Sequence, residues 1–417
     1  RRLATRRLGG ARVRGPQAGA RRPREKVTTL LLKELAKDAI QRVVFSGPVY
    51  ARLRAVALRR PAAMVPDARD QISRVAPRPE HMRVEPAPRL KPTIDLTVVV
   101  PARNVDRFVG ACLDSVMSQD VGGRTFEVIV VDDGSTDDTV AAVSVRAERD
   151  KRVRLVRCSG LGPAARNVGI DLARGRYLAF VDADDLLAPG HFAALFARMD
   201  CGDVDMVSSL WRRIAEDGTP LGLGERTRTH ATVWGRLYRR EVWERLRIPQ
   251  GCWYEDLIIP ICVQPLAREA FVDDAGYLYR VRRGSIVEES VRSARALDAY
   301  WVLDELLGWR RELGITYGQG DLDRLVEIMG PTLMGRAGCL DVSGLRALFS
   351  LHCDLLASLT ELSEIRTSRG GAWRDVELAL RERRFELWCL ACAATATDSG
   401  DVKMLVAWSR YRQAMGR

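Results

Sequence analysis

Apolar and polar positions divide this chain of 417 residues into stretches of different period. Between residues 28 and 45 the spacing is helical: Leu32, Leu35, Ala36, Ala39 and Val43 share one face, and Lys33, Glu34, Lys37, Asp38, Gln41 and Arg42 fall on the other. Gly47-Pro48 is read as its stop, and residues 50–60 as a second, more basic helix. From Asp95 the pattern changes to short apolar runs without alternation, as expected of strands buried on both faces. These runs predict strands over 96–101, 126–132, 152–157 and 176–182. Amphipathic stretches between them predict helices over 106–119, 136–148 and 163–173, and another after Pro189. Strict β–α alternation predicts an α/β fold with a mostly parallel sheet and helices on both faces. From about residue 291 the chain is rich in Leu, Trp and Arg at helical spacing, which predicts an all-α region. The organisation expected is therefore a disordered basic tail over 1–26, amphipathic helices over 27–60, a linker over 61–94 with seven prolines, an α/β domain over 95–290, and a helical domain over 291–417.

Charge sharpens this division. The net charge of +12 is uneven: residues 1–94 hold 23 basic and 7 acidic side chains, and the remainder holds 43 and 47. The body is thus slightly acidic, which argues against a nucleic-acid partner, since a binding body carries its own basic face. The basic N-terminal helices are expected to dock on the main domain or on a second subunit, or to rest on an anionic membrane surface. No apolar run is long enough to span a bilayer, and residues 385–397 read as a buried core helix. Nine cysteines without a framework spacing, including the lone pair Cys389 and Cys392, read as buried thiols in a reduced, cytoplasmic setting.

Two of the predicted strands end in carboxylates. Residues 127–139 read EVIVVDDGSTDDT, and residues 177–185 read YLAFVDADD. In open α/β sheets the carboxyl ends of the strands line the ligand crevice. Four or five carboxylates in one crevice repel one another, and a divalent metal carrying a phosphorylated ligand offsets that repulsion. Thr136 to Thr139 is read as a helix start capped from Ser135-Thr136-Asp137. The glycine-bearing turn over 162–169 leads into a helix, a place where backbone can approach an anion.

Taken in order, VVVPARN, VIVVDDGSTDDT, GLGPAARNVGIDLARG, YLAFVDADD, WGRLYRREVW and YED resemble the family 2 glycosyltransferases, over roughly residues 95–290. The bacterial wall- and capsule-polysaccharide members are the most similar. The resemblance implies a GT-A (Rossmann-like) fold, an inverting reaction and a nucleotide-sugar donor. It places Pro101 and Asp133 against the nucleoside, with Arg103 standing where the family usually has a stacking Tyr; a guanidinium plane also stacks. It implies donor contacts from Arg166 or Asn167. Asp184 is implied to coordinate Mg²⁺ or Mn²⁺ on the diphosphate, with Asp182 meeting ribose or metal. Asp256 is implied to be the base, with Glu255 orienting base or acceptor. Trp234 is either packing or a sugar platform, and Arg236 meets donor phosphate or acceptor. The late loop YRVRRGS is implied to reach the diphosphate, with Arg280 and Ser285 favoured; Arg forks suit phosphate. The acceptor implied is a hydroxyl of a cell-envelope polysaccharide or glycopolymer. Alternatives are a polyprenyl-phosphate acceptor, which needs no base, or a GT-A body serving as a scaffold. Oligomerisation is left open.

Overall fold

The computed structural model of the chain describes residues 45, 47–88, 91–158, 164–221, 227–228, 231–282, 293–395 and 403–416. The basic tail, the amphipathic stretch over 28–44, the first two residues of the glycine-bearing turn over 162–169, and Ser285 lie outside these residues.

The sheet is built on the expected apolar runs. Strands β1 (Ile94–Ala102), β2 (Phe126–Asp133), β3 (Val153–Cys158) and β4 (Gly175–Phe180) are parallel, in the order β3-β2-β1-β4. Every residue of β2 is buried. Its alternate side chains serve opposite faces: Val128 and Val130 join the core that includes Val109 and Leu113 of helix Asp106–Met117, while Ile129 and Val131 pack with Ala165 of helix Ala164–Leu172. Helices therefore cover both faces, as the continuous apolar runs require.

Beyond β4 the sheet becomes mixed, and this half is not marked by β–α alternation. After β5 (Leu186–Leu187), β6 (Met206–Ile214) and β7 (Thr227–Arg228), strand β8 (Arg236–Arg239) inserts antiparallel between β4 and β6. Strand β9 (Glu269–Arg280) then runs parallel to β6. Two reversals leave β6 and β9 pointing the same way as β4. The carboxyl ends of β1, β2, β4 and β9 and the amino end of β8 consequently share one edge.

The C-terminal region is helical, with Asp298–Glu312, Val342–Ser358, Ala372–Glu382 and Phe385–Thr395 as its main members. Phe385–Thr395 is buried almost throughout, its two cysteines included. Gly47-Pro48 opens the helix Gly47–Leu58, because proline is tolerated in a first turn where no N–H partner is needed. That helix docks on the C-terminal region, with the Tyr50 hydroxyl and Arg54 Nε donating to Asp375 at 2.9 and 2.8 Å. The segment read as linker over 61–94 contains the helix Ala68–Val75, and its part from Ile72 to Arg83 lies against the same region. Ile72 is buried there, Trp301 Nε1 donates to the Ala76 carbonyl, and Arg69 and Arg83 pair with Asp304 and Glu312. Prolines suit an extended strap as well as a free linker; what fixes this segment is burial of Ala63, Ala68, Ile72, Ala76 and Met82 in the core, with exposed ion pairs to helix Asp298–Glu312 adding little. Among the described residues no helix is long and apolar enough to cross a membrane.

Candidate functional site

The β2 loop is built as a clamp. Helix Thr139–Arg149 starts three residues later than expected: Asp137 holds its first residue, with Oδ1 accepting from the Thr139 N–H at 3.0 Å, and Ser135, Asp137 and Thr139 also turn side-chain oxygens to the neighbouring loop. The N–H groups of Asn104, Val105 and Asp106 donate to Ser135 Oγ, Thr139 Oγ1 and Asp137 Oδ2 at 3.1, 2.8 and 3.1 Å. Asn104, in left-handed backbone at φ 50°, returns the contact by accepting from the Thr136 N–H at 2.8 Å. These bonds hold the loop after Pro101 beside Asp133, where Arg103 Nη1 meets Asp133 Oδ2 at 3.2 Å. Asp132 is fully buried at the strand end.

Asp182 and Asp184 lie past the end of β4, in a turn closed by the Asp185 N–H donating to the Asp182 carbonyl at 3.0 Å. Strand alternation does not apply to them, and they take different cations. Arg166 Nη2 donates to Asp182 at 2.7 Å, whereas Arg282 Nε donates to Asp184 at 2.6 Å. Asp185 is buried and ties the turn down, accepting from the Tyr277 hydroxyl and the Arg280 N–H, each at 2.7 Å. Burial, then Asp184 and Asp182, push its carboxyl far up, so Asp185 is a structural acid.

Arg166 also reaches Glu255, with Nη1 to Oε1 at 2.9 Å. One guanidinium thus joins the turn after β4 to the segment Glu255–Leu257, some seventy residues on. Burial raises the carboxyls of both Asp182 and Glu255 while Arg166 opposes it. Asp256 is pushed up to about 8 by burial and then by the Glu255 charge, against the pull of Arg166. Its Oδ1 is buried without a hydrogen-bond partner. Burial works against the Arg166 cation, but the carboxylates of Asp182, Glu255 and Asp256 outweigh it and hold that group fully charged.

Other expected contacts are spent elsewhere. Asn167 is buried and uses both ends of its amide on Ile248, donating to the carbonyl at 2.8 Å and accepting from the N–H at 2.9 Å, so it fastens a loop instead of a donor. Gly169 serves packing, since a Cβ there would lie 2.2 Å from Val99 Cγ1. Arg236 is buried in β8 against Ser208 and Glu269, with a further bond to the Thr232 carbonyl, and does not present itself to a phosphate. Arg280 donates to the carbonyls of Asp184 and Glu216, both at 2.6 Å, and clips the acidic turn to the turn that follows β6. Trp234 is buried and stacked on Tyr277 at 4.3 Å and 12°, which makes it packing and not an open platform. In the late loop Arg282, and not the favoured Arg280, has its guanidinium on the Asp184 carboxylate. Tyr277, two positions before Tyr279 on β9, carries no motif that marks it.

Among the described residues no group of three or more His, Cys, Asp or Glu could hold a metal on its own. Asp184, partly exposed and paired among the described residues with Arg282, is a carboxylate that would hold a divalent ion, which would supply Lewis-acid chemistry there.

A family model described as "Glycosyl transferase family 2" matches residues 97–254. Among curated proteins, the chain is 27% identical over 218 residues to glycosyltransferase GlyA of Streptococcus pneumoniae, covering 46% of this chain and 31% of that one. It is 32% identical over 227 residues to the succinoglycan biosynthesis protein ExoO of Rhizobium meliloti, covering 48% and 64%. The chain thus spans 31% and 64% of the length of these two relatives. Among solved structures, S. aureus TarS residues 1–349 is similar with a TM-score of 0.47 at 17% identity, over 74% of this chain and 92% of that one. Residues 97–254, which carry the parallel strands and both acidic loops, belong to glycosyl transferase family 2.

Proposed function

We propose that this protein transfers a sugar, with inversion, from a nucleoside-diphosphate donor to a hydroxyl of a cell-envelope polysaccharide or glycopolymer. One observation carries the reading: Arg166 binds Asp182 and Glu255 at once, so the donor-side acid and the acidic pair Glu255-Asp256 form a single cluster. Asp133 and Arg103, held beside Pro101 by the loop clamp, supply hydrogen bonds and a stacking plane for the nucleoside. Asp182 faces the ribose side, and Asp184 with Arg282 faces the diphosphate. A Mg²⁺ or Mn²⁺ ion held by Asp184 would act as Lewis acid toward the departing diphosphate. Asp256 takes the proton of the acceptor hydroxyl as its oxygen bonds to the anomeric carbon and the bond to the diphosphate breaks on the opposite face. Its unpartnered Oδ1 is the atom available for that proton. Glu255 is held on Arg166 and sets the field in which Asp256 titrates.

The test is a thermal-shift screen of UDP-, GDP-, CDP- and dTDP-sugars with Mg²⁺ and Mn²⁺, followed by assay of nucleotide release. Stabilisation by one nucleotide family, dependent on metal, is expected. If no nucleotide raises the melting temperature with either metal, the donor reading is overturned.

A further inference from the structure

Buried arginines in this protein are otherwise tied to acceptors. Arg247 binds Asp171 and two carbonyls, and Arg310 binds Asp321 and the Ile261 carbonyl. Arg336 differs. It lies at the end of the short helix Leu333–Arg336 in the C-terminal region, mostly covered, and makes no hydrogen bond or ion pair among the described residues. Its Nη1 is buried without a partner. Its guanidinium lies over the ring of Tyr254, whose centroid is 3.7 Å from Cζ. Such a cation–π contact steadies the charge but satisfies none of its five N–H donors.

Tyr254 immediately precedes the acidic pair and is held in left-handed backbone at φ 67°, unusual for a residue with a side chain. Its hydroxyl is buried without a partner, as is Asp256 Oδ1. Three unpaired polar atoms therefore sit on Tyr254, Asp256 and the guanidinium that lies over the Tyr254 ring. Unpaired buried donors and acceptors are costly, and a cluster of them marks a place that a ligand completes. The charge balance indicates what ligand. Asp182 and Glu255 share the single cation Arg166, and Asp256 adds a further negative charge in the ionised form that acts as base, a surplus that would repel an anionic acceptor. Arg336 supplies the missing cation from the side of the C-terminal helices.

We propose that Arg336, positioned on Tyr254, binds an anionic group of the acceptor, a phosphate or a carboxylate, and so presents the neighbouring hydroxyl to Asp256. The inference rests on the acceptor reading given above and assigns the C-terminal region a share in specificity. A guanidinium fork matches either group in bidentate geometry, where a neutral sugar would leave most of its donors unpaired.

The experiment uses the full chain saturated with the nucleoside diphosphate and metal found by the donor screen, so that the diphosphate site is already filled. Calorimetric titration compares glucuronate with glucose, and glycerol 3-phosphate with glycerol. The charged member of at least one pair is expected to bind tenfold or more tightly than the neutral member. Arg336→Gln is expected to abolish that difference and Arg336→Lys to keep part of it, nucleotide affinity serving as the control for folding. Preference for glucuronate identifies a uronate-bearing acceptor, and preference for glycerol 3-phosphate a phosphodiester one. Should Arg336→Gln fail to fold, the same anion must protect Arg336 of the native protein from phenylglyoxal. Nucleotide binding without any anion preference, or a preference unchanged in Arg336→Gln, overturns this inference and leaves the donor reading intact. Absence of nucleotide binding overturns the donor reading itself.

Discussion

Replacing Asp256 by Asn keeps the shape of the side chain and removes its capacity to take a proton. A positioned general base contributes about 10²–10⁴-fold to a rate, so kcat is expected to fall by that factor while nucleotide affinity is kept. The pH profile tests the same assignment from another side. Burial and the Glu255 charge raise the Asp256 carboxyl to about 8, and only its ionised form works as a base. Activity should therefore rise with pH, by roughly tenfold per unit below 8 and about fiftyfold between pH 6 and pH 8. Glu255→Gln removes a like charge and should move this limb to lower pH. Arg166→Met removes the opposing cation and should move it higher. Stability runs the other way. The folded carboxyl titrates above its unfolded value of 3.8, so between pH 4 and 8 the folded state holds a proton that the unfolded state has lost. Its contribution is therefore present below pH 4 and is lost as pH rises through 8. Asp256→Asn should melt higher than the native protein at pH 8 and no higher at pH 4. Nucleotide release measured from pH 5.5 to 9, alongside calorimetry, checks both. An Asp256→Asn enzyme that keeps more than a tenth of native kcat would refute the assignment, as would a flat profile that Glu255→Gln fails to shift.

Asp184→Asn should abolish metal-dependent stabilisation by nucleotide in a thermal-shift titration, while the melting temperature without ligand stays close to native. Arg282→Ala should weaken nucleotide affinity about tenfold, the order expected for losing one charge-assisted hydrogen bond to a diphosphate. Gly175→Ala places a Cβ 2.4 Å from the Thr97 nitrogen and 2.6 Å from the Tyr177 carbonyl oxygen, inside the sheet where backbone cannot yield. It should cost about 3 kcal/mol by denaturant unfolding, at the upper end for overpacking. Ile72→Ala empties a fully buried site between helices Ala68–Val75 and Val342–Ser358 and should cost about 2–4 kcal/mol, which a freely moving linker would not.

The parallel half of the fold was legible because its physics is local. A strand covered on both faces must be continuously apolar, so Val128–Val131 and Leu178–Val181 mark themselves. The strap over 61–88 was not legible: its prolines report backbone preference, whereas its fixed place depends on the core that buries Ile72 and Met82 and on the Trp301 bond to Ala76, all far away in sequence. The same limit divides the site. Carboxylates at strand ends are visible as residue types, but which cation each one meets is set by distance in space. Arg280 and Arg236 looked like phosphate ligands and are backbone and core clips; Arg282 is the one that meets Asp184.

By itself the sequence determined the apolar strands, the order of the acidic blocks and the family they belong to, because each is a pattern within a few residues. Tertiary structure decided how those blocks meet. The antiparallel insertion of β8 and the parallel return of β9 bring the late segments to the edge where β1, β2 and β4 end. Arg166 then binds acids from both halves, burial raises Asp256, and a C-terminal helix lays Arg336 over Tyr254. Charge and desolvation act through space, so the pairing of these groups, and with it their chemistry, exists only once the chain is folded.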